Sequence, residues 1–518
     1  DWRASIDLRQ GTRVLSLESE LAGLASRLPT PFAKAASEAW PLRIELAPSE
    51  APPEAAPSGS GTADTERRRE LLRVALRDDA LLLVEGERAP GGQGMEIRRG
   101  AFALGAEPLL PDSGLSLSLN APAIDVDAWA AAFGPISAGD RLSVLRPSRV
   151  SLSAQRLRIA GKELNEIVLG ATRSDDRWRA NVRAREVDGH LSWRSAVPGQ
   201  VSGGIVARFG RLEIPASRVG EVESLFDSAP SELPELDIEA DEFVLNEHRL
   251  GSLAVKARNV GDPAAPVWRL EQLRIENPSA TLDAHGDWRI PRDGRQRTSS
   301  LDFELALRDA GAVLELLGFP GTMRGGAGSL NGELSWTGSP LAIDLPSLSG
   351  KLDLSLGKGS FPKAEPGIAK LIGVLNLQSL PRRLAFDFHD LFSEGFAFDD
   401  IHGSVLVHDG IARSEEFVMR GVTAQVRLRG EVDIARETQD LLVEVRPELN
   451  AALASLAYAA MVNPAVGIGS LLAQLLLREP LRELFAWEYE LTGSWSEPEL
   501  TTRSRPTLPE AVQPPQGG

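Results

Sequence analysis

The chain has no cysteine among its 518 residues. This absence excludes disulfide bonds, thiolate metal sites and cysteine nucleophiles together. Aromatic residues are scarce, at 5%, with 16 phenylalanines and 2 tyrosines. The apolar part of the chain therefore consists mainly of leucine, alanine, valine and isoleucine, which form broad aliphatic surfaces with few stacking platforms.

An excess of positive charge is also lacking. The formal net charge is −17, and basic clusters such as Arg67, Arg68 and Arg69 are short. A protein that binds nucleic acid needs clustered lysine and arginine to neutralise phosphates. We therefore expect no nucleic-acid partner.

Motifs of nucleophilic catalysis and nucleotide binding are missing as well. The chain has no G-x-S-x-G elbow, and the glycine-rich run 325–329 is neither a G-x-G-x-x-G fingerprint nor a lysine-bearing phosphate loop. The 73 acidic residues are too numerous for any carboxylate pair to be informative. We expect neither an enzyme nor a cofactor.

Histidine and aspartate residues between 389 and 409 are the remaining candidates for a metal site. Along one straight strand, His402 and His408 would lie about 20 Å apart, too far to share an ion. We therefore predict no metal site from this group, which comprises His389, Asp390, Asp399, Asp400, His402, His408 and Asp409.

The chain begins at Asp1 without an initiator methionine, a basic n-region or an apolar h-region. Either a targeting segment has been removed or the chain is part of a longer protein. The family resemblance described below favours the second interpretation.

Alternation of apolar and polar residues dominates what is present. Between Leu301 and Leu307 every second residue is apolar and large. Since successive side chains of a strand point to opposite faces, this pattern predicts strands with one apolar and one solvated face, typical of antiparallel sheets. Leu115, Leu117 and Leu119 follow the same pattern. The predicted apolar face comprises Leu301, Phe303, Leu305, Leu307, Leu352, Leu354, Leu356, Leu384, Phe386, Phe388, Val426 and Leu428.

Turns and helices are predicted between these strands. Turn signals are Asp188-Gly189, Asn331-Gly332, Asp409-Gly410 and Arg429-Gly430. Short helices are predicted at residues 126–133, capped by Asp125, at 310–317 and at 366–375, and weaker patterns occur at 16–28 and 218–226.

A recurring tryptophan indicates an internal repeat. Strands that follow a glycine turn end at Trp193, Trp288, Trp336 and Trp495, and a W-R strand precedes two of them at Trp178 and Trp268. The spacing indicates a unit of about 50 residues stacked on its neighbours, as in repeat proteins. Coincidence among tryptophan-ended hairpins is the alternative.

Residues 449–477 carry no charge and are interrupted at Asn463-Pro464. Because proline breaks a helix, we predict a hairpin of two short apolar helices. Three placements stay open: a lid buried against the sheet, a hairpin touching a membrane, or a transmembrane helix. The predicted membrane-contact residues are Leu453, Leu456, Tyr458, Met461, Leu471, Leu472, Leu475 and Leu476.

Several segments together resemble the AsmA-like family, in particular the C-terminal portion of its YhdP-type envelope proteins. The run 309–340 has a short helix, a glycine-rich turn and a strand ending W-x-G-x-P from Trp336 to Pro340. The string DLFSEGFAFD at 390–399 is the most specific. Further similar segments are 28–32, 119–129, 348–350, 365–367 and 377–383.

The resemblance implies a periplasmic protein anchored in the inner membrane by an N-terminal helix that this chain lacks. It further implies a long β groove lined with aliphatic side chains, phospholipid as the ligand, and leaves open a contact with the outer membrane. The residues themselves do not distinguish an open groove from a closed sandwich, nor do they identify the lipid, the direction of transport or its energy source.

The predicted fold is mostly β: an elongated, curved antiparallel sheet of stacked repeats that forms an apolar groove, with few short helices and a C-terminal helical hairpin. The predicted regions are the start of the β-repeats (1–46), a flexible Pro/Ser/Gly insertion (47–65), the repeated groove (66–300), the AsmA-like β region (301–447), the apolar hairpin (448–487), a final strand (488–500) and a disordered tail (501–518).

Two functional hypotheses follow. The first is a periplasmic bridge that carries phospholipid acyl chains along the apolar face between the inner and outer membranes. The second is a structural or assembly protein of the envelope, whose β face binds a partner protein.

Overall fold

The computed structural model describes most of the chain as β-strand. The described residues are 1–9, 12–49, 68–88, 95–133, 147–159, 161–194, 203–214, 233–262, 265–289, 297–340, 343–362, 396–421, 424–447 and 487–504. The chain divides into two compact units. Unit 1 comprises residues 1–221 and 237–241, and unit 2 comprises residues 222–236 and 242–518.

Unit 1 contains fourteen described strands and one helix. They are β1 (Trp2–Arg9), β2 (Thr12–Ser19), β3 (Ser26–Arg27), β4 (Ala33–Lys34), β5 (Leu42–Pro48), β6 (Arg68–Leu76), β7 (Ala80–Arg88), β8 (Met95–Leu104), β9 (Gly114–Asp125), α1 (Val126–Phe133), β10 (Pro147–Ile159), β11 (Lys162–Ser174), β12 (Arg177–Arg183), β13 (Val187–Arg194) and β14 (Gly204–Ile214). The next strand, β15 (Glu235–Leu245), contributes residues to both units.

Most strands of unit 1 pair antiparallel with the strand that follows them, and β2 pairs with β5 across the small β3–β4 hairpin. Strand β9 is the exception, because it runs parallel to both β8 and β10. The predicted antiparallel pairing does not extend to this strand. Parallel neighbours need a crossover connection, and α1 lies in the one that leads from β9 to β10.

Unit 2 is antiparallel throughout its described pairings. Its elements are β16 (His248–Asp262), β17 (Ala265–Glu276), β18 (Ala280–Arg289), β19 (Thr298–Leu307), α2 (Ala310–Leu316), β20 (Arg324–Gly325), β21 (Gly328–Thr337), a 3-10 turn (Leu345–Ser347), β22 (Ser349–Leu356), β23 (Gly359–Phe361), β24 (Phe396–His408), β25 (Ile411–Gly421), β26 (Ala424–Asp433), β27 (Thr438–Pro447), β28 (Trp487–Ser494) and β29 (Pro498–Ser504). The long strands pair in chain order, while the short β20 and β23 form a side branch beside β24.

Two predicted helices are confirmed at their start. Helix α1 begins after Asp125, whose carboxylate accepts a hydrogen bond from the backbone N–H of Ala128 at 2.8 Å. Helix α2 is capped in the same way by Asp309 and is followed by Gly318 with φ 92°. The weaker helix prediction at 16–28 is wrong, since Leu17 belongs to strand β2. The predictions at 218–226 and 366–375 lie outside the described residues.

Only one of the four predicted glycine turns forms a turn. Asp409 and Gly410 have φ of 47° and 77° and join β24 to β25. Gly189, Gly332 and Gly430 lie inside strands β13, β21 and β26 instead. A glycine in a strand often marks a bulge or a close approach of a neighbour rather than a turn, and the second explanation applies to Gly332.

The prediction of a mostly β protein is confirmed. The segment predicted as one final strand at 488–500 is a hairpin of two strands, β28 and β29, which ends at Ser504. The insertion predicted at 47–65 and the helical hairpin predicted at 448–487 lie largely outside the described residues. Within the described ranges, no helix has the length and apolar character needed to cross a membrane.

Candidate functional site

One face of the unit 2 sheet is apolar across eleven strands. Leu354 of β22 lies opposite Leu330 of β21 on one side and Gly403 of β24 on the other. Residues directly opposite each other on adjacent strands share a face. The complete row is Leu253, Ile275, Leu282, Leu305, Leu330, Leu354, Gly403, Phe417, Leu428, Val443 and Tyr489.

The strand register places nine of the predicted groove residues on this face. They occupy the row above and the rows beside it: Leu301, Phe303, Leu305, Leu307, Leu352, Leu354, Leu356, Val426 and Leu428. The other three, Leu384, Phe386 and Phe388, lie outside the described residues, as do all eight predicted membrane-contact residues.

The two margins of the apolar face are covered, whereas its middle is only half-buried. At one margin Val313 and Leu314 of α2 pack on a buried cluster that includes Phe396 and Phe398. At the other margin Trp336, with 4% exposure, packs with neighbouring aliphatic residues. Between the margins, Phe303, Leu305, Leu330, Leu352 and Leu354 remain half-buried. The face is therefore a partly exposed apolar strip between two packed margins.

Glycines on this face make room for aromatic rings. A Cβ atom at Gly332 would lie 2.3 Å from the Phe303 ring and 2.7 Å from Leu352. A Cβ atom at Gly403 would lie 2.3 Å from the Phe417 ring. Interpretation of the sequence missed this role, although both glycines fall in phase with the apolar positions of their strands. That phase is the signal that could have identified them.

Unit 1 has its own continuous apolar row, which crosses twelve strands. It starts at strand β1, where the nearby Ile6 and Leu8 are 71% and 73% exposed. The row consists of Ala4, Leu17, Ile44, Val74, Leu82, Phe102, Leu117, Val150, Ala171, Ala180, Leu191 and Ala207.

Burial in β9 is the reverse of what its sequence suggests. Leu117 and Leu119 on the apolar face are half-buried, whereas Ser116 and Ser118 on the opposite face are 1% and 7% exposed. The hydroxyl of Ser116 donates a hydrogen bond of 2.6 Å to the carbonyl of Leu109, which belongs to the β8–β9 connection. The expectation that this strand has a solvated polar face is wrong, because the connecting segment covers it.

Paired tryptophans recur on the apolar faces of both units. Trp178 and Trp193 lie opposite each other in β12 and β13 and stack with 5.5 Å between ring centroids. In β17 and β18, Trp268 lies opposite Trp288. The two tryptophan hairpins of the sequence repeat therefore form the same strand pair, once in each unit.

The opposite face of unit 2 is charged and solvated. Asp353 accepts hydrogen bonds from Lys351 and Ser404, which hold the pKa of its carboxyl below the ordinary value. The Nδ1 atom of His402 lies 3.0 Å from Oδ1 of Asp400, and the Nε2 atom of His408 lies 3.6 Å from Oδ2 of Asp409. In the described part of the chain, no group of three or more such side chains is placed to hold a metal ion. His389 and Asp390 lie outside that part.

Comparison with known proteins identifies the family. The YhdP protein family matches residues 1–500 of the chain. The chain belongs to the YhdP family. Among curated proteins, the Intermembrane phospholipid transporter YhdP of Escherichia coli (strain K12) is 24% identical over 528 aligned positions, which cover 99% of this YhdP-family chain. The chain spans 39% of that relative's length. No solved structure matches the chain.

Proposed function

We propose that this YhdP-family chain carries phospholipid acyl chains along its apolar sheet faces, as part of a conduit between the inner and outer membranes. The observation that supports this proposal is the half-buried strip of unit 2, where Leu305, Leu330 and Leu354 lie side by side between two packed margins. The family relative, which is named an intermembrane phospholipid transporter, supports the same ligand class.

The proposed mechanism is desolvation, without any bond being broken. Acyl chains cover the apolar strip, and each buried methylene contributes about 0.8 kcal/mol. The charged head groups stay in water, since burying an unpaired charge is costly. An uninterrupted row allows a lipid to exchange contacts with one strand for equivalent contacts with the next, so no single position along the row holds it strongly.

The proposed location is the periplasm, with the complete protein anchored in the inner membrane and its lipid delivered towards the outer membrane. The intermembrane role of the relative supports this location. No catalytic role is proposed for any residue.

The variant Leu354→Asp tests the proposal. Because a carboxylate in the middle of the strip would be desolvated by an acyl chain, phospholipid that co-purifies with the chain should fall to a small fraction of the wild-type amount. Lipid extraction and mass spectrometry measure this amount, and circular dichroism checks that the β signal persists.

A matched control is Ser355→Asp, because Ser355 is exposed on the other face of the same strand. This variant should retain its lipid. If Leu354→Asp unfolds the protein, the strip is a closed core and the proposal fails. If the wild-type chain carries no phospholipid, the alternative of a face that binds a partner protein is favoured.

A further inference from the structure

The face of unit 1 opposite its apolar row contains a hollow of about 680 Å³ across strands β10 to β14. Two rows of side chains line it. One row is Arg149, Thr172, Arg179, Ser192 and Val206, and the other is Ser151, Gly170, Asn181, His190 and Arg208.

Two arginines of this hollow carry uncompensated charge. Arg149 and Arg179 are exposed and, within the described part of the chain, neither has a hydrogen-bond or ion-pair partner. Their strands are separated only by β11, so the two Cα atoms lie about 10 Å apart. Arg208 differs, because Asp237 and Glu239 neutralise it at 2.8 and 3.2 Å. Two guanidinium groups without a partner in the described part of the chain therefore lie in one concavity of a protein whose net charge is −17.

Thr172 lies between these arginines, and Gly170, two residues away on β11, forms part of the floor between Ser151 and Asn181. The fold does not explain this glycine. Its φ lies outside the left-handed region, and a Cβ atom there would have no neighbour within 4 Å. Glycine inside a strand weakens the strand and often marks a place where a ligand approaches the backbone. Neither strain nor crowding excludes a side chain at this position, so the glycine keeps the hollow open.

We propose that the hollow binds a phosphate-bearing anion. Arginine matches phosphate oxygens with paired N–H donors. Thr172 adds a hydroxyl between the two arginine positions, and Ser151 and Asn181 add a hydroxyl and an amide in the neighbouring row. The site lies on the face of unit 1 opposite its apolar row, so it does not depend on the proposed binding of acyl chains to that row. The phosphate can come from a lipid head group or from a soluble phosphate.

The test is calorimetric titration of the full chain with inorganic phosphate at low ionic strength. The variant Arg149→Gln/Arg179→Gln should weaken binding by about tenfold or more, because it removes charge-assisted hydrogen bonds. Gly170→Val should weaken binding comparably, because its side chain fills the floor without straining the strand.

Two matched controls should bind phosphate as the wild type does. Arg156→Gln removes another exposed arginine of β10 outside the hollow, and Gly210→Val adds a side chain at an exposed β14 glycine whose Cβ would meet its nearest atom at 3.9 Å. Phosphate binding that is absent in the wild type, or unchanged in either hollow variant, overturns the proposal. Self-association of the chain through the arginines without phosphate binding overturns it as well.

Vesicle flotation then distinguishes the sources. Flotation with phosphatidylglycerol vesicles that requires Arg149 and Arg179 assigns the site to a lipid head group. Phosphate binding that requires these arginines, together with no flotation, assigns it to a soluble phosphate.

Discussion

At the scale of the residue, a buried carboxylate in unit 1 links stability to pH. Glu85 of β7 is 4% exposed. Burial by itself would raise the pKa of its carboxyl, but hydrogen bonds from Arg99 at 3.0 Å and Ser49 at 3.0 Å outweigh burial and lower it below the ordinary 4.5. Because the pKa is lower in the folded state than in the unfolded state, the ionised carboxylate stabilises the fold fully above the unfolded-state pKa. This stabilisation is lost as the pH falls through the folded-state pKa.

The variant Glu85→Gln should therefore lower the free energy of unfolding at pH 7 by about 1–3 kcal/mol. The difference from the wild type should shrink as the pH falls below 4.5 and through the lowered pKa of the wild-type carboxyl. Urea unfolding at a series of pH values measures this. Glu416→Gln, at an exposed position of β25, is the control and should leave the curve unchanged. A difference that is constant with pH would contradict the role given to the ionised carboxylate.

At the scale of the element, buried tryptophans near the ends of paired strands donate hydrogen bonds to backbone carbonyls. Trp288 is 0% exposed, and its indole N–H donates to the carbonyl of Gly338 at 3.0 Å, as does the hydroxyl of Ser299. Trp336 and Trp268 donate in the same way to the carbonyls of Ser339 and Pro234. A buried ring thus packs the apolar margin while its polar edge satisfies a backbone acceptor.

Replacing Trp288 by alanine should destabilise unit 2 by about 3–5 kcal/mol, because it leaves a large cavity and removes one hydrogen bond to Gly338. Trp2→Ala is the matched control. Trp2 is 58% exposed, so its loss should change stability by less than about 0.5 kcal/mol. Chemical denaturation followed by circular dichroism compares the two. Equal effects would mean that the repeated tryptophan is a surface feature.

At the scale of the whole molecule, long segments connect strands that pair directly. Val445 of β27 lies opposite Trp487 of β28, and Phe361 of β23 lies opposite Phe396 of β24. Pro48 of β5 lies opposite Glu70 of β6 in the same way. The strands on either side of each segment therefore pair with each other directly, and the apolar stretch 449–477 lies in one of these segments.

Deletion of residues 451–477 should leave the β body folded and loaded with lipid but stop lipid transfer to acceptor liposomes, if the predicted hairpin serves delivery. Deletion of residues 51–64, which also join directly paired strands, is the control and should leave transfer unchanged. Fluorescent-lipid transfer and circular dichroism provide the measurements. Loss of folding would show that the segment is part of the hydrophobic core. Unimpaired transfer would show that the segment has no role in lipid transfer.

Along strands without a bulge, the sequence by itself determined which side chains share a face, because the period of two is a local property of a regular strand. It also determined where α1 and α2 begin, since Asp125 and Asp309 cap them through bonds to nearby residues. Tertiary structure alone decided that β9 runs parallel to its neighbours, that Ser116 is covered while Leu117 is half-exposed, and that Gly332 receives the ring of Phe303. These features depend on contacts between residues distant in the chain, which no local period encodes.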